Sequence, residues 1–519
     1  MARAAVCLLR CDLRAHDNQV LHWAASNADY LIPLYCFDPR HYAGTHCYGF
    51  PKTGPHRLRF LLESVKDLRE TLKKKGSTLV VRKGKPEDVV RDLITQLGCV
   101  GVVAFHEEAT QEELDVEKEL CQVCEQHGVE VKPFWAATLY HRDDLPFRPI
   151  ARLPDVYTQF RKAVEAEAKV RPALQLPDQL KPLAPGVEEG CIPTMEDLGQ
   201  KDPGTDPRTA FPCCGGETQA LARLQYYFWD TNLVASYKET RNGLIGMDYS
   251  TKFAPWLALG CISPRYIYEQ LRKYEKERGA NDSTYWVLFE LLWRDYFRFV
   301  ALKHGRRIFS VRGLQSKEVP WKKDLLLFDC WKEGKTGVPF VDANMRELAA
   351  TGFMSNRGRQ NVASFLTKDL GLDWRMGAEW FEHLLVDYDV CSNYGNWLYS
   401  AGVGNDPRDK RKFNVIKQGL DYDGNGDFVR LWLPELQGIA GADAHAPWAL
   451  SSAALRQAGV ILGQTYPQPL VRAPEWSRHI NQRLQGRSPH PRGRRGPADA
   501  PAQRKDRGID FYFSRKKDE

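Results

Sequence analysis

The chain has 519 residues, 43% hydrophobic and 27% charged, with 73 Lys and Arg against 66 Asp and Glu for a formal net charge of +7. These values exclude collagen-like, fully disordered and disulfide-scaffold classes, and at about 150 residues per domain the length predicts two to four domains. No stretch approaches the ~18 apolar residues of a membrane span, and Arg10 and Asp12 interrupt the N-terminus too early for a secretory signal. Thirteen cysteines, an odd number without framework spacing, point to a reducing intracellular compartment, nuclear or cytoplasmic.

Residues 1–135 alternate short apolar strands, expected at 4–10, 31–37, 78–83, 101–105 and 129–134, with amphipathic helices. Leu58, Leu61, Leu62, Val65, Leu68 and Leu72 carry helical spacing that Gly76 stops; Pro86 opens the next helix and Gly98 closes it. Thr110 with Glu113 reads as a capping box for a third helix ending at Gly128. This rhythm predicts a doubly wound, parallel-sheet α/β domain, with a ligand beyond its strand C-termini. Residues 136–212, with eight prolines between Pro172 and Pro212, read as a connector running over the surface. Residues 213–477 are aromatic and helical without a second set of alternating strands, so a separate all-helical domain is expected. Residues 478–519 hold 12 basic and 5 acidic groups, which leaves 61 of each sign before them, so the whole +7 lies in a segment expected to be disordered.

Several motifs fail on their chemistry. Cys121 and Cys124 lie inside the third helix without a second pair and read as packing residues. Asp421, Asp423, Asn425 and Gly426 imitate a calcium loop, but the twelfth position is Trp432, so an ordinary turn is expected and no metal site is assigned. No GxGxxG follows the first strand and no GxxxxGK[ST] occurs. The helical half says more. Ser250-Thr251-Lys252-Phe253-Ala254-Pro255 places two hydroxyls and a cation before a helix that Pro255 can start, a setting suited to phosphate. Glu290-Leu-Leu-Trp293-Arg294-Asp295-Tyr296-Phe297, Asn356-Arg357-Gly358-Arg359 and Asp387-Tyr388-Asp389 are polar clusters in apolar surroundings, which need a ligand or one another for satisfaction.

The segments NRGRQNVASFLTKDLGLDWRMGAEWFEHLLVDYDVCSNYGNWLYS (356–400) and STKFAPWLALGCISPR (250–265) resemble the flavin-binding core of the photolyase/cryptochrome family. KFNVIKQGLDYDGNGDFVRLWLPEL (412–436) resembles that family's closing segment and LLRCDLRAHDN (8–18) its opening strand and loop. The resemblance spans residues 4–470 and, through GPHRLRFLLESVKDLRETLKKKGSTLVVRKGKPEDV (54–89), is strongest to the cryptochrome DASH branch.

The resemblance implies FAD in the helical domain. Tyr237 and the Ser250, Thr251, Lys252, Phe253, Ala254 run would hold its phosphates; Trp286, Glu290, Arg294, Asn356 and Arg359 would line the flavin or the space above it. Asp387 and Asp389 would lie beside the isoalloxazine and ribose, and Asn393 near flavin N5. Arg359 and Asp387 would form a buried pair whose loss from either side costs binding severely. Trp321, Trp374 and Trp397 match the family's tryptophan route from surface to flavin. The implied activity is light-driven cleavage of cyclobutane pyrimidine dimers by electron transfer from reduced flavin. Glu290 would hydrogen-bond the dimer, Trp293 would stack on it, and Arg241, Arg294 and Arg357 would approach the DNA. Gln360 and Tyr399 stand where duplex-repairing members carry Met and a second stacking Trp, so the expected substrate is a dimer in single-stranded or looped DNA. A (6-4) photolyase would carry a histidine pair after Ser355, and SNRGRQNVASF has none. A non-catalytic blue-light receptor that binds DNA or regulates transcription is the alternative. Glu108 matches a carboxylate that contacts a methenyltetrahydrofolate antenna, and the protein is expected to act as a monomer.

Overall fold

The computed structural model describes residues 3–175, 177–405 and 411–485. Five parallel strands, β1 (Ala4–Leu9), β2 (Tyr30–Phe37), β3 (Val80–Lys83), β4 (Val100–His106) and β5 (Glu130–Phe134), form one sheet in the order β3-β2-β1-β4-β5. The crossovers are α1 (Gln19–Asn27), α2 (Pro55–Lys74), α3 (Pro86–Leu97) and α4 (Gln111–Gln126). All five strands fall where apolar runs place them. Helix α1 has too short and mixed a periodicity to read from sequence; the Asn18 side chain caps it by accepting from Leu21 N.

Period-two alternation in β1 explains how the sheet meets the rest of the chain. Ala4, Val6 and Leu8 pack with Val90, Leu93, Leu120 and Val123 of α3 and α4. Ala5, Cys7 and Leu9 face the other way, into a core shared with Val20, Leu58 and Leu61 of α1 and α2 and with Trp256, Phe353 and Trp397 of the helical half. One face of the sheet therefore continues into the helical core. The opening loop locks the junction: Asp17 pairs with Arg265 at 2.5 Å, both side chains within 5% exposure, and Glu217 accepts from the backbone N–H groups of Ala15 and His16 at 2.8 Å. Gly260 permits the approach, because a Cβ there would lie 2.0 Å from the Cys11 carbonyl oxygen.

Four expectations need correction. The Thr110 side chain makes no cap hydrogen bond; Glu113 is drawn instead to the Arg10 guanidinium at 3.1 Å and the His41 ring at 3.5 Å, because a charge-assisted pair outcompetes a backbone amide. Cys124 is buried as expected, whereas Cys121, one turn earlier on the same helix, is exposed. The connector is more than a surface strap. It forms helix α5 (Tyr157–Glu167), whose Tyr157, Phe160 and Val164 are buried, and the Glu189 carbonyl accepts from Val81 N at 2.8 Å, covering the β3 edge. At the far end, α19 (Pro474–Gln485) runs through the boundary drawn at 478, since Trp476 stacks on Phe365 at 6.4 Å and packs on Trp448 at 6.3 Å. The rest of the expected disordered segment lies outside the described residues.

The helical half begins with α6 (Glu217–Gln225), the short α7 (Tyr237–Thr240) and α8 (Ala254–Ala258), α9 (Pro264–Arg278) and the central α10 (Asp282–His304). It continues with α11 (Leu325–Lys332), α12 (Pro339–Thr351), α13 (Asn356–Ser364), α14 (Trp374–Leu384) and α15 (Val390–Ala401), then α16 (Val415–Tyr422), α17 (Asp427–Trp432), α18 (Ser452–Gln457) and α19. The calcium-loop imitation resolves into a helix junction: buried Asp423 accepts from Phe428 N and Val429 N at the start of α17. Among the described residues no group of His, Cys, Asp or Glu could hold a metal, and no helix is long and apolar enough to cross a membrane.

Candidate functional site

The helices α7, α8, α10, α13, α14 and α15 enclose a cavity of about 350 Å³, within the size range of small-molecule sites. One end of it is built by the loop before α8. Arg223 of α6, 2% exposed at the side chain, donates to the carbonyl oxygens of Met247, Ser250 and Thr251. That clamp leaves the Ser250 and Thr251 hydroxyls and the first amides of α8 as available donors. Lys252 holds a left-handed backbone (φ +60°) in this clamped loop. Its Nζ lies 3.4 Å from the Tyr249 ring centroid and 4.2 Å from that of Phe353. Burial pushes its pKa well below the usual lysine value. Facing it, Glu347 of α12 is 1% exposed, and burial pushes its carboxyl up to about 8 against the pull of Lys252 and Arg359.

Opposite this loop, Arg359 of α13 donates to Asp387 at 2.8 Å, the carboxylate 5% and the guanidinium 28% exposed. Asp389 caps α15 by accepting from Ser392 N at 2.7 Å, and Arg294 (4.0 Å) and Arg298 (3.7 Å) hold its pKa below the ordinary carboxylate value despite burial. Asn393 spends its amide N–H on the Ala378 carbonyl at 3.0 Å, which leaves Oδ1 as an acceptor. Toward the other side of the cavity, Arg241 pairs with Glu290 at 2.5 Å, and Trp293 and Gln360 join the lining.

Most residues singled out from sequence converge on this one cavity: Tyr237, Arg241, the 250–254 run, Glu290, Trp293, Arg294, Asn356, Arg359, Gln360, Asp387, Asp389, Asn393 and Trp397 all line it. Six do not. Trp286 packs behind the wall, stacked on Phe289 at 4.9 Å beneath Arg241. Arg357, buried, donates to Asn242 and Gln360, and Tyr399 receives a hydrogen bond from Arg411 at 2.9 Å. Trp374 is fully buried and Trp321 half-buried, away from the lining. Glu108 is buried and held by Arg298 at 2.9 Å. Arg294 spends its guanidinium on the Ala137 and Leu257 carbonyls, so the three arginines expected near DNA are all engaged within the protein. Arg223, Glu347 and Arg298 carry the site from behind, and nothing local in sequence marks them.

Comparison with known proteins agrees with this architecture. Residues 5–180 match the family described as DNA photolyase, and residues 286–486 the family described as the FAD binding domain of DNA photolyase. Cryptochrome DASH of Xenopus laevis is 72% identical over 100% of this chain and 99% of its own. This chain belongs to the photolyase/cryptochrome family. Cryptochrome DASH of Danio rerio is 70% identical over 99% of both chains. The crystal structure of a Synechocystis cryptochrome superposes with a TM-score of 0.88 at 49% identity, covering 93% of this chain and 99% of that one. A class III photolyase from Agrobacterium tumefaciens gives 0.79 at 29% identity over 94% and 98%.

The helical half is thus a photolyase-type FAD-binding domain, and the cavity's chemistry fits that cofactor. Lys252 Nζ, Tyr249 Oη and Asp387 Oδ1 are buried at its lining without hydrogen-bond partners, groups whose desolvation a polar ligand would offset. The 250–254 loop would hold the pyrophosphate, with Asp387, Asp389 and Asn393 beside the ring and sugar.

Proposed function

We propose that this chain is a light-driven photolyase acting on cyclobutane pyrimidine dimers in single-stranded or looped DNA. FAD, held by the 250–254 loop and by Asp387, Asp389 and Asn393, would supply light-driven one-electron chemistry, the electron being returned once the dimer's two cyclobutane C–C bonds have opened, so that no net oxidation occurs. The chain's own residues do the rest. Asn393 Oδ1 and the Arg359–Asp387 pair fix hydrogen bonding and charge beside the ring. Glu290 holds the dimer's polar edge after releasing Arg241, and Trp293 offers an aromatic face to the extruded bases. Trp397, at the lining, with Trp374 and Trp321 behind it, would return electrons to an oxidised flavin. Methenyltetrahydrofolate is retained as the antenna, with DNA as the partner; the Glu108–Arg298 ion pair would have to open for a direct Glu108 contact.

The observation that carries this reading is the meeting in one cavity of a carboxylate and a half-buried indole from one turn of α10, Glu290 and Trp293, with the flavin-side groups Asp387 and Asn393. The test is blue-light repair of a dimer in a single-stranded oligonucleotide by the FAD-loaded chain. Repair is expected from the wild type and is expected to fall about ten- to a hundredfold in Glu290→Gln with flavin absorbance unchanged, the range for a hydrogen bond to a charged group. Intact dimers after illumination of the wild type would favour the receptor instead.

A further inference from the structure

We infer that Tyr157, on the connector helix α5, is a positioning residue for the lesion site: it stacks behind Trp293 and fixes the plane of that indole for an extruded pyrimidine dimer. The inference rests on the photolyase reading above and assigns the connector a part in it. The two rings lie 3.6 Å apart between centroids with planes 10° from parallel. Tyr157 is 7% exposed, and its hydroxyl donates to the Phe289 carbonyl at 2.9 Å, four residues before Trp293 on the same helix. The tyrosine thus spans one turn of α10, pinned at its hydroxyl and laid flat against the indole.

Its own orientation is fixed from the sides. Phe289 meets it edge-on at 5.3 Å and 85°, Tyr296 at 5.6 Å and 72°, and Phe160, one turn along α5, fills the space beneath at 6.5 Å. Trp293 lines the cavity and is half-buried, so covering one face with tyrosine leaves the indole able to present the other. Base-on-aromatic stacking requires parallel planes, and an indole free to turn would lose entropy on binding that a backed indole has already given up. Phe297, tilted by 33° at 5.4 Å, borders Trp293 within the same lining and limits rotation toward α15.

The experiment is a double-mutant cycle on the full-length, FAD-loaded chain. It measures affinity for a dimer-containing single strand and the single-turnover repair rate on saturating strand. Trp293→Ala should weaken binding by about five- to a hundredfold. Tyr157→Leu should weaken it about three- to tenfold with the saturated rate nearly unchanged, and Tyr157→Phe, which keeps the plane, should restore the affinity. In the Trp293→Ala background Tyr157→Leu should cost nothing further, because the residue it acts through is gone. Should Tyr157→Leu not fold, Tyr157→Met, which also removes the flat ring, takes its place in the cycle. An equal loss in both backgrounds, or wild-type affinity in Tyr157→Leu, overturns the inference. Full binding and repair by Trp293→Ala would instead refute the photolyase reading at this cavity, and the inference with it.

Discussion

At the scale of single residues, the cavity is a place where burial and charge are set against each other. Lys252 and Glu347 are both nearly inaccessible and lean toward their neutral forms, a state that an entering pyrophosphate would shift toward a charged lysine. The sign for stability follows from Glu347. Its ordinary value of 4.5 rises to about 8 in the fold, so between these pH values the folded chain keeps a proton that the unfolded chain has released. Its contribution is complete below 4.5 and is lost as pH rises through about 8. Glu347→Gln should therefore flatten the fall in Tm across that window, measured by thermal unfolding in matched buffers; an unchanged slope would assign the dependence to other buried acids such as Asp295. Room is as limiting as charge. A Cβ on Gly377 of α14 would lie 2.1 Å from the Trp397 ring, so glycine there is what lets the indole sit at the cavity wall.

At the scale of elements, legibility followed locality. All five strands and helices α2 to α4 are encoded by short-range periodicity, and the residues lining the cavity sit in compact motifs, so a resemblance could assign them. What escaped was decided by distant partners. Glu113 has the spacing of a capping residue, yet Arg10, more than a hundred positions away, claims it. Tyr157 and Phe160 sit in a stretch that reads as connector, and only the α10 surface makes them a helix face. Arg223 is one arginine of an amphipathic helix until the 247–251 carbonyls converge on it. Helix α19 is hidden in the sequence because its large anchor, Trp476, precedes a basic run. That anchor is 1% exposed, so Trp476→Ala should cost about 3–5 kcal/mol of stability, measured by urea unfolding. A loss below about 1 kcal/mol would mean that α19 is no part of the cooperative fold.

At the scale of the whole molecule, the net charge has a narrower meaning than +7 first suggests. Residues 486–519 carry 10 basic and 5 acidic groups, whereas Arg241, Arg294 and Arg357 are held by protein partners. On the proposed reading, nonspecific attraction to DNA would fall to the C-terminal segment and recognition to the cavity. Deleting residues 486–519 should leave flavin absorbance and Tm unchanged while making the log–log dependence of DNA affinity on salt shallower. The slope should change by about 0.7 for each phosphate of a single strand that the segment no longer neutralises.

The proposed activity is repair of dimers that need not be pulled from a duplex. Gln360 and Tyr399, tied to Arg357 and Arg411, supply no second stacking indole to offset the unpairing cost of a few kcal/mol. The decisive measurement is the blue-light repair rate of one dimer in matched single-stranded and duplex oligonucleotides by the FAD-loaded full chain. Faster repair of the single strand, by about tenfold or more, is the predicted result. Equal or faster repair of the duplex, or no repair of either strand form with photoreducible flavin bound, would contradict it.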